Sequence, residues 1–138
     1  MRTLAVILTV LTFLSPGCSQ ERRLPTPVQV TGTITFEGKP VDSVNVLFAA
    51  ISEGLPGKYR YAEAKTNASG EYTVPKIYPA EYMVQVIKVD PSAAPADAEQ
   101  GPAVPLASAE FAPYGSESPL RAVVNSDATQ FDFELKSK

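Results

Sequence analysis

The stretch VQVTGTITF, residues 28–36, changes character at every position. Val28, Val30, Gly32, Ile34 and Phe36 fall on one side of an extended chain, and Gln29, Thr31, Thr33 and Thr35 on the other. An unbroken period of two describes a strand with one face in a core and the other in water. No stretch of comparable length beyond residue 18 has the helical period, so this strand sets the style of the whole domain.

Turn and strand signals alternate from there on. EGKP (37–40) supplies turn chemistry at Gly38 and Pro40. VNVLFAA (44–50) is apolar on both sides, which predicts a central or covered strand. Residues 52–58 read as a loop, YRYAEAKT as a strand with Ala62 and Ala64 on one face, and NASG (67–70) as a tight turn. A short EYTV strand follows, and then a long one from about Glu81 to Val89. Residues 91–108, rich in Ala and Pro, are too poor in large apolar side chains to offset their ordering entropy, and a mobile loop is expected. PLRAVV (119–124) and FDFEL (131–135) close the chain, the last with Phe131, Phe133 and Leu135 inward. The expectation is an all-β fold: one sandwich of about seven strands.

Composition narrows the function. The chain has 138 residues, 44% hydrophobic and 20% charged, values of a single globular domain. A net charge of −3 argues against nucleic acid, whose phosphates require a basic stripe. There is no histidine, which removes the commonest general base and the commonest metal ligand together. The single cysteine excludes an internal disulfide.

That cysteine stands at a boundary. After Met1-Arg2-Thr3, the eleven residues Leu4–Leu14 carry no charge, too few to span a bilayer at about 20 residues but suited to a signal core of about 7–15. Ser15-Pro16-Gly17 then precede Cys18. This end resembles a bacterial lipoprotein signal, with small residues before a cysteine that becomes the first mature residue and takes acyl chains. Ser15 stands where that family prefers leucine. The resemblance implies a signal peptide over 1–17 and lipid on Cys18; residues 18–27 read as a polar tether, in which Glu21 beside Arg22 and Arg23 favours a solvated linker over contact with anionic lipid heads. Ser19 after the cysteine implies the outer membrane in envelopes that sort by that position. Two other readings stay open: an ordinary small-residue cleavage site leaving a free thiol, and a small cysteine buried in the core.

The folded part, 28–138, resembles the carboxypeptidase regulatory-like domain, a transthyretin-like sandwich. The similarity runs through Val30–Ile34, the turn Gly38–Val41, and Val44–Phe48. It continues with Thr66, Asn67, Gly70 and Tyr72, then Pro79, Tyr82, Val84 and Val86. Ala80-Glu81 stands where the family has a turn glycine. Small lipoproteins built on this domain also share the tail pattern of Phe111, Pro113, Tyr114 and Ser118-Pro119-Leu120. The resemblance implies a fold and a non-catalytic attached module; the family has no shared catalytic residues and no cofactor.

Other chemistry is weakly signalled. The carboxylates are scattered and read as solvated surface charge. Without histidine a nucleophilic serine has only a lysine for its base, and Ser69, Ser116 and Ser118 sit in turn contexts. KTNASGE has Lys65 where a calcium loop needs an acid. Four tyrosines, Tyr59, Tyr61, Tyr78 and Tyr114, lie in or beside loops and are the candidate contacts for a glycan or a partner. Two functions follow as expectations: a membrane-anchored envelope module meeting a protein partner, or a surface lipoprotein binding polysaccharide through those tyrosines. The second requires the four rings to share one exposed face. Hydrolysis of the kind carried out by transthyretin-like enzymes is disfavoured, since it relies on histidine.

Overall fold

The computed structural model describes residues 23–88 and 108–137. The proposed signal, Cys18, residues 18–22 of the tether, and 91–107 of the Ala/Pro-rich segment lie outside the described residues.

Eight strands follow in order: β1 Val28–Phe36, β2 Lys39–Pro40, β3 Asn45–Ala50, β4 Tyr61–Lys65, β5 Glu71–Ile77, β6 Ala80–Ile87, β7 Arg121–Val124 and β8 Phe133–Leu135. They form two four-stranded sheets. In one, β1 pairs with β5, β2 and β8; the other runs β4-β3-β6-β7. The expected all-β sandwich is present, with β3 central as its two apolar faces require.

The inward faces meet in one core. Val30 and Ile34 of β1, Tyr72 and Val74 of β5, and Leu135 of β8 face Phe48 of β3 and Tyr82, Val84 and Val86 of β6. Phe48 lies at the centre, with ring centroids 6.0 Å from both Tyr72 and Tyr82. Fully burying one such aromatic side chain contributes about 1.5–3 kcal/mol over leaving it in water.

Local chemistry fixes the registers. The β1–β2 hairpin turns on Glu37 and Gly38, both at positive φ, the backbone twist that two-residue hairpins need. Between Val28↔Ile77 and Val30↔Val74 the β1–β5 ladder slips by one residue, which places Pro75 and Lys76 in a bulge. Proline has no N–H to give a ladder, so a bulge suits it. The slip restores the phase and sends Ile77 inward. β5 therefore runs past the expected EYTV to Ile77.

Other boundaries also differ from expectation. β6 starts at Ala80, so the Ala80-Glu81 pair begins the strand itself, and the strand stops at Ile87. β7 starts at Arg121 rather than Pro119. Ala109–Tyr114 forms a short 3-10 helix whose Phe111 and Tyr114 close one end of the core. β8 pairs with β1 in parallel, Ile34 opposite Phe133 and Phe36 opposite Leu135.

Gly32 makes that parallel pairing possible. It lies opposite Tyr72 in the ladder, and the Tyr72 hydroxyl donates to the Phe131 carbonyl at 2.7 Å. A Cβ on residue 32 would overlap that carbonyl oxygen and crowd the hydroxyl.

Candidate functional site

The molecule's open corner lies where β4 and β5 approach each other. Among the described residues β4 pairs only with β3, and β5 only with β1, so both are edge strands. The chain enters β4 through a 3-10 turn, Gly57–Tyr59. Arg60 fastens that turn to the end of β3: its carbonyl accepts from the Ala50 N–H at 2.7 Å, and its guanidinium donates to the Ala50 carbonyl at 3.0 Å. Tyr59 and Tyr61 thereby flank a residue tied to the end of β3. Lys76 and Tyr78 come from the other side, at the end of β5 and just beyond it.

These residues converge on a notch of about 150 Å³, floored by Ala62 and Ile77. The Tyr59 and Tyr78 rings lie 4.8 Å apart, tilted by 54°. The Lys58 ammonium sits 4.8 Å from the centre of the Tyr59 ring, and the Lys76 ammonium 5.9 Å from that of Tyr78. Such cation–ring contacts contribute about 0.5–1 kcal/mol each at an exposed site. Tyr61, at the outer end of β4, is 65% exposed, a large aromatic ring standing in water. The lining holds no carboxylate and no serine or cysteine. Rings and ammonium groups suit stacking and attraction of anions.

Three of the four tyrosines meet at the notch, but Tyr78 is buried there and Tyr114 is buried elsewhere, so the four rings do not share one exposed face and the expected four-tyrosine glycan surface is not formed. Tyr78 is largely buried beneath Tyr59, so Tyr61 and Tyr59 present the accessible ring surface. Tyr114 is a correction. Its ring is buried, and its hydroxyl donates to the Lys136 carbonyl at 3.0 Å and accepts from the Lys136 N–H at 2.8 Å. It pins the end of β8 and offers nothing to a ligand. A loop context with Pro113 before it and Gly115 after it signals exposure, but its partner, Lys136, lies 22 residues later, just past β8. The lysines were not singled out by sequence; the available signal was their spacing, Lys58 next to Tyr59 and Lys76 two places before Tyr78.

Two other hollows are present. A polar one of about 340 Å³ lies on the Thr31–Thr33–Thr73 side of the first sheet. The carboxylates nearby already serve the chain: Asp132 accepts from the Thr33 N–H at 2.8 Å, and Glu71 from the Asn67 amide at 3.1 Å. Asn67 also caps its own turn by accepting from the Ser69 and Glu71 N–H groups, so NASG is a turn built on an asparagine side chain. A more apolar groove of about 470 Å³ runs between Phe36, Val41 and Phe111, with the Lys88–Glu110 ion pair on its rim. Ser118 is buried in a turn, its hydroxyl accepting from the Leu120 N–H at 3.2 Å.

No family model, curated protein or solved structure matches the chain.

Proposed function

We propose that this chain is a membrane-anchored lipoprotein of the cell envelope, in which lipid on Cys18 holds a carboxypeptidase regulatory-like sandwich that acts as a non-catalytic interaction module. The observation that carries this reading is Tyr61, an exposed ring on an edge strand beside a rigid aromatic notch. Edge strands offer unpaired backbone groups to a partner strand, and tyrosine supplies large contact area at low entropy cost. A protein partner in the envelope would meet the β4 edge and bury Tyr61.

The test is in-cell crosslinking of the tagged full chain followed by purification from membranes. One reproducible protein partner is expected, lost both in a Cys18→Ser copy and in Tyr61→Ala. Crosslinks that persist in both variants would remove the anchor and the corner from the account.

A second reading, narrower than the four-tyrosine surface, rests on Tyr59 and Tyr61 alone: with two lysines beside them they offer a surface on which a sugar ring can stack, and bound polysaccharide in the same purification would favour it.

A further inference from the structure

We propose that the corner notch binds an acidic polysaccharide, with the apolar face of one sugar stacked on Tyr61 and its anionic group against Lys58 and Lys76. This inference rests on the second of the readings above.

Charge is the first argument. The chain carries a net −3, yet the notch gathers two ammonium groups and not one carboxylate. Among the described residues the ion pairs are Lys88–Glu110 and Lys136–Glu134, and neither Lys58 nor Lys76 has an acidic partner. A protein with acid to spare leaves this notch positive. A neutral sugar would stack on the rings and leave both charges unanswered.

Geometry is the second. The ammonium groups rest over the faces of two rings that touch each other at 4.8 Å, so both cations are gathered on one small surface. Their cation–ring contacts are weak and exposed, and an incoming anion can draw them away without unfolding anything. Arg60, in contrast, is tied to Ala50 and belongs to the frame.

Size is the third. Enclosed small-molecule pockets span about 300–1,000 Å³. A notch of about 150 Å³ on a corner suits one unit of a chain passing across it, not a free metabolite held inside. The exposed Tyr61 ring extends that contact beyond the notch.

Binding of the full chain, purified in detergent, is measured against three acidic probes, polygalacturonate, alginate and dextran sulfate, and two neutral ones, methyl-esterified polygalacturonate and dextran. At low salt at least one acid is expected to bind about tenfold tighter than its neutral counterpart, the scale of two surface charge pairs. That advantage should shrink above about 0.1 M salt, where screening is effective beyond about 10 Å. A Lys58→Gln/Lys76→Gln double variant should lose the preference, the corresponding Lys→Arg pair should keep it, and Tyr61→Ala should weaken every saccharide that binds. Equal binding of acidic and neutral chains, lost in Tyr61→Ala, would overturn the preference for acid and leave the saccharide reading standing. Binding of the acids that survives in the double Gln variant would place the contact elsewhere and overturn the inference. No binding of any probe would overturn both it and the saccharide reading.

Discussion

The six tyrosines of this chain are put to two opposite uses. Tyr72, Tyr82 and Tyr114 are buried, and each hydroxyl holds a backbone carbonyl: Phe131 at 2.7 Å, Tyr78 at 2.7 Å and Lys136 at 3.0 Å. Tyr59, Tyr61 and Tyr78 gather at the open corner with two lysines and are not used to tie strands together. The buried set fastens strand ends that the ladders alone do not hold. Tyr72 and Tyr114 both act on the short C-terminal strand and its approach, which pairs in parallel over only three residues. The two sets meet at Tyr78, whose carbonyl accepts from the buried Tyr82 while its ring underlies the corner. The fold thus positions the corner through its backbone and leaves the Tyr59 and Tyr61 rings available.

The sharpest way to break this division is at Gly32. A Gly32→Val side chain would collide with the Phe131 carbonyl and displace the Tyr72 hydroxyl. Overpacking of this kind costs about 3 kcal/mol at its upper end, and thermal unfolding should show a loss of that order. A variant of unchanged melting temperature would mean that the contact between β1 and the C-terminal segment is not needed.

Next come the hydroxyls. Tyr72→Phe and Tyr82→Phe each leave a backbone carbonyl unpaired inside the sandwich and should cost about 1–3 kcal/mol. They should also change the alkaline limit. Burial pushes the Tyr82 hydroxyl up to about 12, and the bond it donates to the Tyr78 carbonyl exists only while it is protonated. Tyr72 is raised further, by burial first and by the charge of Asp132 second. Both values lie above the ordinary value of 10, so the stability they contribute is complete below pH 10 and is lost as pH rises towards and past 12. The wild-type chain should weaken across that window, and each Phe variant should lose its own share of the slope. Variants with an undiminished slope would contradict the assignment.

A smaller effect is expected where chain can be removed. The Ser108 N–H already donates to the Lys88 carbonyl at 2.8 Å, so the residues on either side of the Ala/Pro-rich segment are joined without it. Deleting residues 93–101 should change stability by less than about 1 kcal/mol, since loop length enters closure entropy only logarithmically. A large drop in melting temperature would give the segment a packed role.

How much of this was legible in the sequence depends on how local the cause was. The alternation of 28–36 is written in the side chains and survives intact, and so do the inward Ala62 and Ala64 and the asparagine-built turn at 67–70. The bulge at Pro75 was not readable, because a proline after EYTV signals an end and only the partner strand turns it into a slip. The parallel docking of β8 and the reason for Gly32 are invisible for the same cause: they depend on a contact about 100 residues away in sequence. At the site, residue types singled out four tyrosines, of which three meet at the notch. They could not separate Tyr114, whose burial is decided by Lys136, from Tyr61, whose exposure is decided by the end of a sheet. Lys58 and Lys76 gained meaning only when β4 and β5 brought them to one notch.

The most direct test of the central division is Tyr61→Ala in the full chain, read twice. Thermal unfolding should move by less than about 0.5 kcal/mol, as for a surface position outside the core, while in-cell crosslinking from the corner, to a protein or to polysaccharide, should be lost. A destabilised variant would make Tyr61 one more strut of the sandwich, and a stable variant with unchanged crosslinks would mean that the chain meets its partner somewhere other than this corner.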